Sequence, residues 1–249
     1  MNISIITATY NSGKTINSCI DSVLAQTAQP FEHVFIDGLS RDNTLELIGK
    51  KDAGSIIVSE RDHGIYDAMN KGLAMVKGDI IGILNSDDVY ADETILEKVL
   101  DMFEHSKCDA LYGDLVYVKK NNLNQILRHW RAGEYKEGAF LYGWMPPHPT
   151  FFVKREVYEK FGVFDTSLGS AADYELMLRL IHKFKIKVAY LPYVMVKMRT
   201  GGKSNRNLFN RFKGNWEDRK AWKLNALKPR WYTLILKPLR KLNQYVKHF

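Results

Sequence analysis

Cysteine is nearly absent: Cys19 and Cys108 are the only two in 249 residues, far apart and without metal-ligand spacing around them. That excludes a disulfide-stapled scaffold and fits a reducing compartment. Both lie in apolar surroundings and are expected in the core. No apolar run approaches the roughly 20 residues that a membrane-spanning helix needs. The first residues, Met1-Asn2-Ile3-Ser4-Ile5-Ile6, lack the basic and long apolar regions of a signal peptide and read as a strand. The loops G-x-G-x-x-G and G-x-x-x-x-G-K-[ST] are missing, so neither dinucleotide nor P-loop binding is indicated. Acidic residues thin out towards the C-terminus. From Arg199 onward 14 Lys+Arg stand against 2 Asp+Glu, a net of +12; the whole chain is +8, which leaves −4 for residues 1–198. A mildly acidic body with a basic tail presents two surfaces, and such a tail suits an anionic membrane or a nucleic acid.

What is present is ordinary for a soluble globular chain: 45% apolar and 26% charged residues, enough for one large α/β domain or one domain plus an appendage. Residues 2–8, 31–36, 56–58 and 79–84 read as buried strands. Helical spacing covers Lys14 to Gln26, a stretch capped by Asp42 through Ile48, and Ile65 to Val76. Strands alternating with helices in this way predict a mostly parallel, doubly wound sheet flanked by helices. Further on, the pattern predicts a helix over 94–103, a strand over 110–118 with a return strand over 125–130, and an ordered loop over 143–149. A short strand over 150–153, a helix over 172–184 and a final strand over 186–191 follow. In the basic tail, Leu234, Ile235, Leu239, Leu242, Tyr245 and Val246 fall on one helical face, with Lys237, Arg240, Lys241 and Lys247 on or beside the other. Pro238 would kink such a helix or start a new one. This tail is expected to lie in a membrane interface, the alternative being that its apolar face docks on the body.

The first four strands all finish in polar groups. Thr7, Thr9 and Tyr10 follow the first, Asp37 the second, Glu60 and Asp62 the third, Asp87 and Asp88 the fourth. In a parallel sheet these ends lie side by side and form a crevice that can hold a nucleotide and a cation. The stretch Leu84-Asn85-Ser86-Asp87-Asp88 is the centre of that expectation. Two adjacent carboxylates repel and are kept for a cation or for acid/base work, or else form an Asp-rich turn that caps the next helix. A diphosphate held there would need Mg²⁺ or Mn²⁺, which accept carboxylate and phosphate oxygens together.

Five motifs in order, T-A-T-Y-N at 7–11, I-D-G-L-S-R-D-N-T at 36–44, S-E-R-D-H-G-I-Y-D-A-M-N-K-G at 59–72, N-S-D-D at 85–88 and A-D-Y-E-L-M-L-R-L at 172–180, resemble family 2 glycosyltransferases. The similarity covers about residues 1–200 and looks closest to bacterial enzymes that build O-antigen or colanic-acid repeat units. It implies a GT-A fold over 1–200, with a nucleotide-sugar half over about 1–118, an acceptor half over about 119–200, and 201–249 as the basic helical tail. It also implies Mn²⁺ or Mg²⁺, a nucleotide-sugar donor and inversion at the anomeric carbon. By this resemblance Thr7, Thr9 and Tyr10 border the nucleotide, and Asp37 accepts the imide N–H of a uracil-like base, which favours UDP-sugars without excluding dTDP-sugars. Asp62 helps to shape the donor pocket; Asn70 and Lys71 reach the nucleotide or its phosphates. Asp87 matches the last carboxylate of the D-x-D metal motif and Asp88 is a second ligand. Ser86 lies between, and Asn85 replaces the first Asp, keeping ribose or water contacts but not the charge. Asp173 matches the catalytic base, which takes the proton of the acceptor hydroxyl while the metal stabilises the leaving diphosphate. Glu175 is the next candidate base. His148, Glu175 and Lys203 are candidates for acceptor or phosphate contact. For each a bland role stands beside the functional one: a loop residue for His148, a basic hinge for Lys203, an N-terminal helix charge for Asp173.

The expected partners are the donor, a polyprenyl-diphosphate-linked saccharide acceptor and a membrane surface, with a cytoplasmic, peripheral location on the inner face of a bacterial inner membrane and no nucleic acid. Two competing readings fit less well. A metal-dependent nucleotidyltransferase predicts a phosphate loop rich in Gly, Arg and Lys after the first strand, which T-A-T-Y-N-S-G-K matches poorly. A nucleic-acid-binding protein predicts basic residues beside aromatics throughout, against an acidic body.

Overall fold

A computed structural model describes residues 1–201, 208–240 and 244 of the chain, with backbone alone for 208–215. The first half alternates as the sequence predicts: β1 (Ile3–Thr9), α1 (Ile16–Leu24), β2 (Glu32–Asp37), α2 (Thr44–Lys51), β3 (Ile56–Ser59), α3 (Ile65–Met75) and β4 (Ile80–Ile83). These strands are parallel in the order β3-β2-β1-β4. The side chains of β1 divide between two cores. Ile3 and Ile5 pack with Cys19 and Val23 of α1, whereas Ile6 and Ala8 meet Met69 and Leu73 of α3. Alternation of period two, apolar on both faces, is what a strand covered by helices on each side requires. Close approach of α3 depends on Gly72, where a Cβ would run into the Ile6 side chain.

The second half completes one sheet. It supplies β5 (Val89–Tyr90), α4 (Ile95–Ser106), β6 (Ala110–Lys119), β7 (Asn122–Trp130), β8 (Phe152–Lys154), α5 (Arg155–Phe161), α6 (Ala172–Met177) and β9 (Val188–Arg199). The full order is β3-β2-β1-β4-β8-β6-β9-β5, with β7 on β6 as the expected return strand. Here the sheet is mixed: β8 runs antiparallel between β4 and β6, and β9 is parallel to β6. Helix α6 passes into a π-helical stretch over Leu178–Lys183. The last strand runs eight residues past its expected end at Leu191. The register steps from Gly113↔Leu191 to Asp114↔Val194, so Pro192 and Tyr193 form a bulge that requires no proline N–H, and the ladder resumes to Arg199.

The tail forms α7 (Leu208–Leu224) and α8 (Thr233–Arg240), with Pro238 inside α8. Both helices dock on the body. Trp222 is fully buried and donates its indole N–H to the Tyr174 hydroxyl at 2.8 Å. Lys237 is paired with buried Asp218 at 2.7 Å and stands 3.4 Å above the Tyr174 ring, and the Thr233 hydroxyl donates to the Leu141 carbonyl. The single apolar face expected of the last helix is therefore divided. Leu234 turns inward, while Ile235 and Leu239 remain exposed. Lys241, Leu242, Tyr245, Val246 and Lys247 lie outside the described residues.

Candidate active site

The register places Thr9, Asp37 and Ser59 side by side at the ends of β1, β2 and β3, and β4 delivers the Asn85–Asp88 turn beside them. The expected polar crevice is thus assembled by parallel pairing. The loops behind it are knitted together. Asn11 takes a left-handed conformation at φ 51°, its N–H donates to Ser40 Oγ, and its own Oδ1 accepts the Arg41 N–H. Ser12 Oγ lies 2.8 Å from Ser86 Oγ, joining the β1 loop to the acidic turn.

The adjacent carboxylates sit in different surroundings. Asp87 is partly exposed at the crevice. Burial pushes its pKa up, and the charges of Arg199 and Lys120 pull it back. Asp88 is fully buried, and burial together with the neighbouring Asp87 charge pushes its carboxyl well above the usual range. Its oxygens accept the Asn85 amide at 2.9 Å and the Arg199 backbone N–H at 3.3 Å. Asp88, expected as a second metal ligand directly or through water, holds the turn together in this structure. Asn85 Oδ1 and Thr9 Oγ1 are buried and have no partner among the described residues. Such orphans call for an ion, a water or a ligand group.

Among the described residues no three His, Cys, Asp or Glu side chains cluster as a preformed metal cage. A partly exposed Asp87 carboxylate in the same turn as the orphaned Asn85 amide oxygen nevertheless fits a hard cation. Mg²⁺ and Mn²⁺ sites of this kind use one or two carboxylates, waters and the oxygens of a bound diphosphate.

Several expected donor contacts are already engaged. Asp37 is fully buried and accepts the Ser40 N–H at 2.9 Å, the Ser40 hydroxyl at 2.5 Å and the Ser59 hydroxyl at 2.7 Å. That uses three of about four acceptor sites on a carboxylate, so Asp37 orders the turn after β2 before any base arrives. Thr7 lies on the α1 side of the sheet, 3.0 Å from His33 Nε2, rather than in the crevice. Asn70 clamps the Phe164 backbone in both directions, donating to its carbonyl at 2.9 Å and accepting its N–H at 3.0 Å. Lys71 is paired with Glu60 at 2.7 Å and donates to the Arg61 carbonyl. Tyr10 and Asp62 do reach the crevice. Tyr10 is half exposed, and Asp62 packs over Gly38, where any Cβ would collide with its carboxylate.

Asp173 opens α6 and is partly exposed, its Oδ1 accepting the Tyr174 N–H at 2.7 Å. Tyr66 and His148 flank it. Burial and then the Asp173 charge push the Tyr66 hydroxyl up, and burial pushes the His148 imidazole down against the pull of Asp173. His148 is buried edge-on to Phe164, so it lines the wall behind Asp173 as a neutral ring. Glu175, the alternative base, is buried in an ion pair with Arg179 at 2.9 Å and accepts the Asn225 amide at 2.9 Å. Its carboxylate ties α6 to α7 through Asn225. Lys203 lies outside the described residues.

Arg199 is the residue that sequence reasoning missed. It ends β9, donates to Ser18 Oγ at 2.7 Å and to the Lys120 carbonyl at 3.1 Å, and keeps a buried Nε without a partner among the described residues. No local signal marks it, because its partners lie 79 to 181 positions away. A second missed group surrounds buried Asp114, which accepts the Ala132 N–H and the Tyr190 hydroxyl, each at 2.8 Å, with His129 Nε2 at 3.6 Å.

The chain belongs to glycosyl transferase family 2, whose model matches residues 4–167. It is 28% identical over 208 residues to a PGL/p-HBAD biosynthesis glycosyltransferase of Mycobacterium bovis, covering 81% of this chain and 78% of that protein. The named relatives, among them a chondroitin synthase and a hyaluronan synthase of Pasteurella multocida, are not specifically O-antigen enzymes. Among solved structures, S. aureus TarS 1-349 in complex with UDP-GlcNAc aligns with a TM-score of 0.70 at 19% identity, over 91% of this chain and 66% of that one. The mannosyltransferase PcManGT from Pyrobaculum calidifontis, in complex with GDP-Man and Mn²⁺, aligns with a TM-score of 0.66 at 19% identity, over 94% and 68%. At such identities these likenesses establish the fold, a GT-A-like α/β architecture.

Proposed function

We propose that the chain is an inverting glycosyltransferase that moves a sugar from a nucleotide-sugar, UDP-linked in the first instance, to a hydroxyl of a polyprenyl-diphosphate-linked saccharide at the inner face of a bacterial membrane. The observation that carries the transfer reading is the acidic turn at the aligned strand ends, with Asp87 partly exposed there; Asp173 stands beside Tyr66 at the start of α3, the helix that follows β3. The donor half, about 1–118, supplies the crevice; the acceptor half, about 119–200, supplies the base. Tyr10 borders the nucleotide base, and Thr9 Oγ1 and Asn85 Oδ1 are free to meet ribose or water. Asp87 would hold the Mn²⁺ or Mg²⁺, with Asn85 beside it, and the bound ion supplies charge stabilisation for the departing diphosphate. Asp173 accepts the proton of the attacking acceptor hydroxyl as the glycosidic bond forms on the opposite face of the sugar. The buried ring of His148 and the Tyr66 hydroxyl keep that carboxylate in place and water away from it. That a mannosyltransferase of this fold was solved with GDP-Man and Mn²⁺, and TarS with UDP-GlcNAc, supports the metal and donor classes. The test is a panel of UDP-, dTDP- and GDP-sugars with Mn²⁺, read by nucleoside diphosphate release. UDP-sugars are expected to turn over; no release from any donor would overturn the reading.

A further inference from the structure

The inward face of α8 is spent on the body through Leu234, Thr233 and the Lys237–Asp218 pair. Its outward face is apolar. Ile235 and Leu239 are 54% and 50% exposed, and their spacing of four residues puts both on one stripe of α8; Trp231, in the turn that leads into the helix, is 83% exposed. Beside that stripe, the end of α7, the 226–230 connection and the start of α8 form an open groove of about 440 Å³. Arg219, Lys223, Lys228 and Arg230 line it, with Trp231 and Leu234. All four cations are exposed, and none is in an ion pair with a described residue.

We infer that this α7–α8 surface docks on an anionic bilayer: the groove cations meet lipid phosphates and Trp231, Ile235 and Leu239 enter the headgroup–acyl boundary. The inference rests on the membrane-linked acceptor proposed above and names the surface that would meet the membrane. Charge complementarity selects the occupant, since four unpaired cations around an apolar floor match phosphate headgroups above hydrocarbon. Exposed tryptophan beside aliphatic residues suits the same boundary. A second copy of the chain would bring like charges together across a twofold axis. A single-stranded nucleic acid would be served by stacking rings rather than by Ile235 and Leu239. No described helix is long and apolar enough to cross a membrane, so the contact proposed is with the surface.

The test uses the full chain and sedimentation with vesicles of phosphatidylcholine alone or mixed with phosphatidylglycerol. Binding is expected on the mixed vesicles only, weakening with salt. Trp231→Ala with Ile235→Ala is expected to lower partition about tenfold or more. Replacing Lys228 and Arg230 by Ala should lower it about fivefold for each cation removed. All four side chains are exposed, and nucleoside diphosphate release with a soluble acceptor analogue should stay at the wild-type rate in both variants. The docking inference is overturned if wild type ignores the mixed vesicles or if the variants bind as wild type does. It is equally overturned if the same substitutions instead abolish dimers seen by light scattering or binding to single-stranded DNA. Vesicle binding by a protein that releases nucleoside diphosphate from no donor would leave the docking surface standing and sink the transferase reading.

Discussion

Asp87 and Asp88 show how little adjacency says about role. Both were legible as a pair that could hold a cation, but only the structure separates the partly exposed carboxylate from the buried one. Asp88 is fixed by Asn85 from within its own turn and by Arg199 from 111 positions away, a partnership no local pattern encodes. Asp37 teaches the same lesson: its place at a strand end was readable, whereas its saturation by Ser40 and Ser59 depends on β2 and β3 lying in register. Three outcomes belong at this scale. Asp87→Ala is expected to lower Mn²⁺-supported nucleoside diphosphate release by about a thousandfold, the several kcal/mol that a metal supplies to a leaving group. In Asp173→Asn, donor affinity measured by calorimetry should be retained while transfer drops by about a hundred- to ten-thousandfold, the usual contribution of a general base. Arg199→Ala removes charged hydrogen bonds to Ser18 and the Lys120 carbonyl, and should cost about 2 kcal/mol in denaturant unfolding.

Elements were legible in proportion to their periodicity. The first four strands and their helices follow simple patterns and appear where expected. The final strand does not stop at Leu191 because a bulge absorbs Pro192, and a sequence pattern cannot distinguish a bulged proline from a terminal one. Buried polar groups inside elements leave their own signature. The His33 ring on β2 lies tilted against Phe35 with centroids 4.0 Å apart, and burial holds its pKa below the ordinary value despite Asp52 at 3.5 Å. The unfolded chain therefore binds a proton near pH 6.5 that the folded chain still refuses. Stability from this site is complete above the unfolded pKa and is lost as pH falls from there towards the folded one. Thermal melts of His33→Gln and wild type should accordingly differ in slope below about pH 6.5, with the variant flatter; parallel curves would show that His33 is not responsible. On α7, Trp222→Ala should cost about 3–5 kcal/mol of stability. Trp222→Phe, which chiefly removes the N–H donated to Tyr174, should cost about 1 kcal/mol.

At the scale of the whole molecule, the charge asymmetry was readable but its architecture was not. A basic tail rich in tryptophan reads as a membrane element, with a docked helix as the alternative, and the structure docks one face of it on the body while Trp231, Ile235 and Leu239 stay exposed. Trp222 turns inward and Trp231 outward, a choice set by what the body offers, namely the Tyr174 hydroxyl. Successive acidic residues of α7 then pull in opposite directions. Glu217 accepts the Ser170 N–H and hydroxyl, each at 2.8 Å, three residues before Asp173, while Asp218 grips Lys237 of α8. Helix α7 is thus a yoke between the loop that leads into Asp173 and the helix that faces outward. Immobilising α8 is expected to narrow the excursions of residues 167–173, so that part of the entropy of ordering that loop is met in advance. Amide hydrogen exchange in that loop, slowed when α8 is held and quickened by Asp218→Ala, would register the yoke directly.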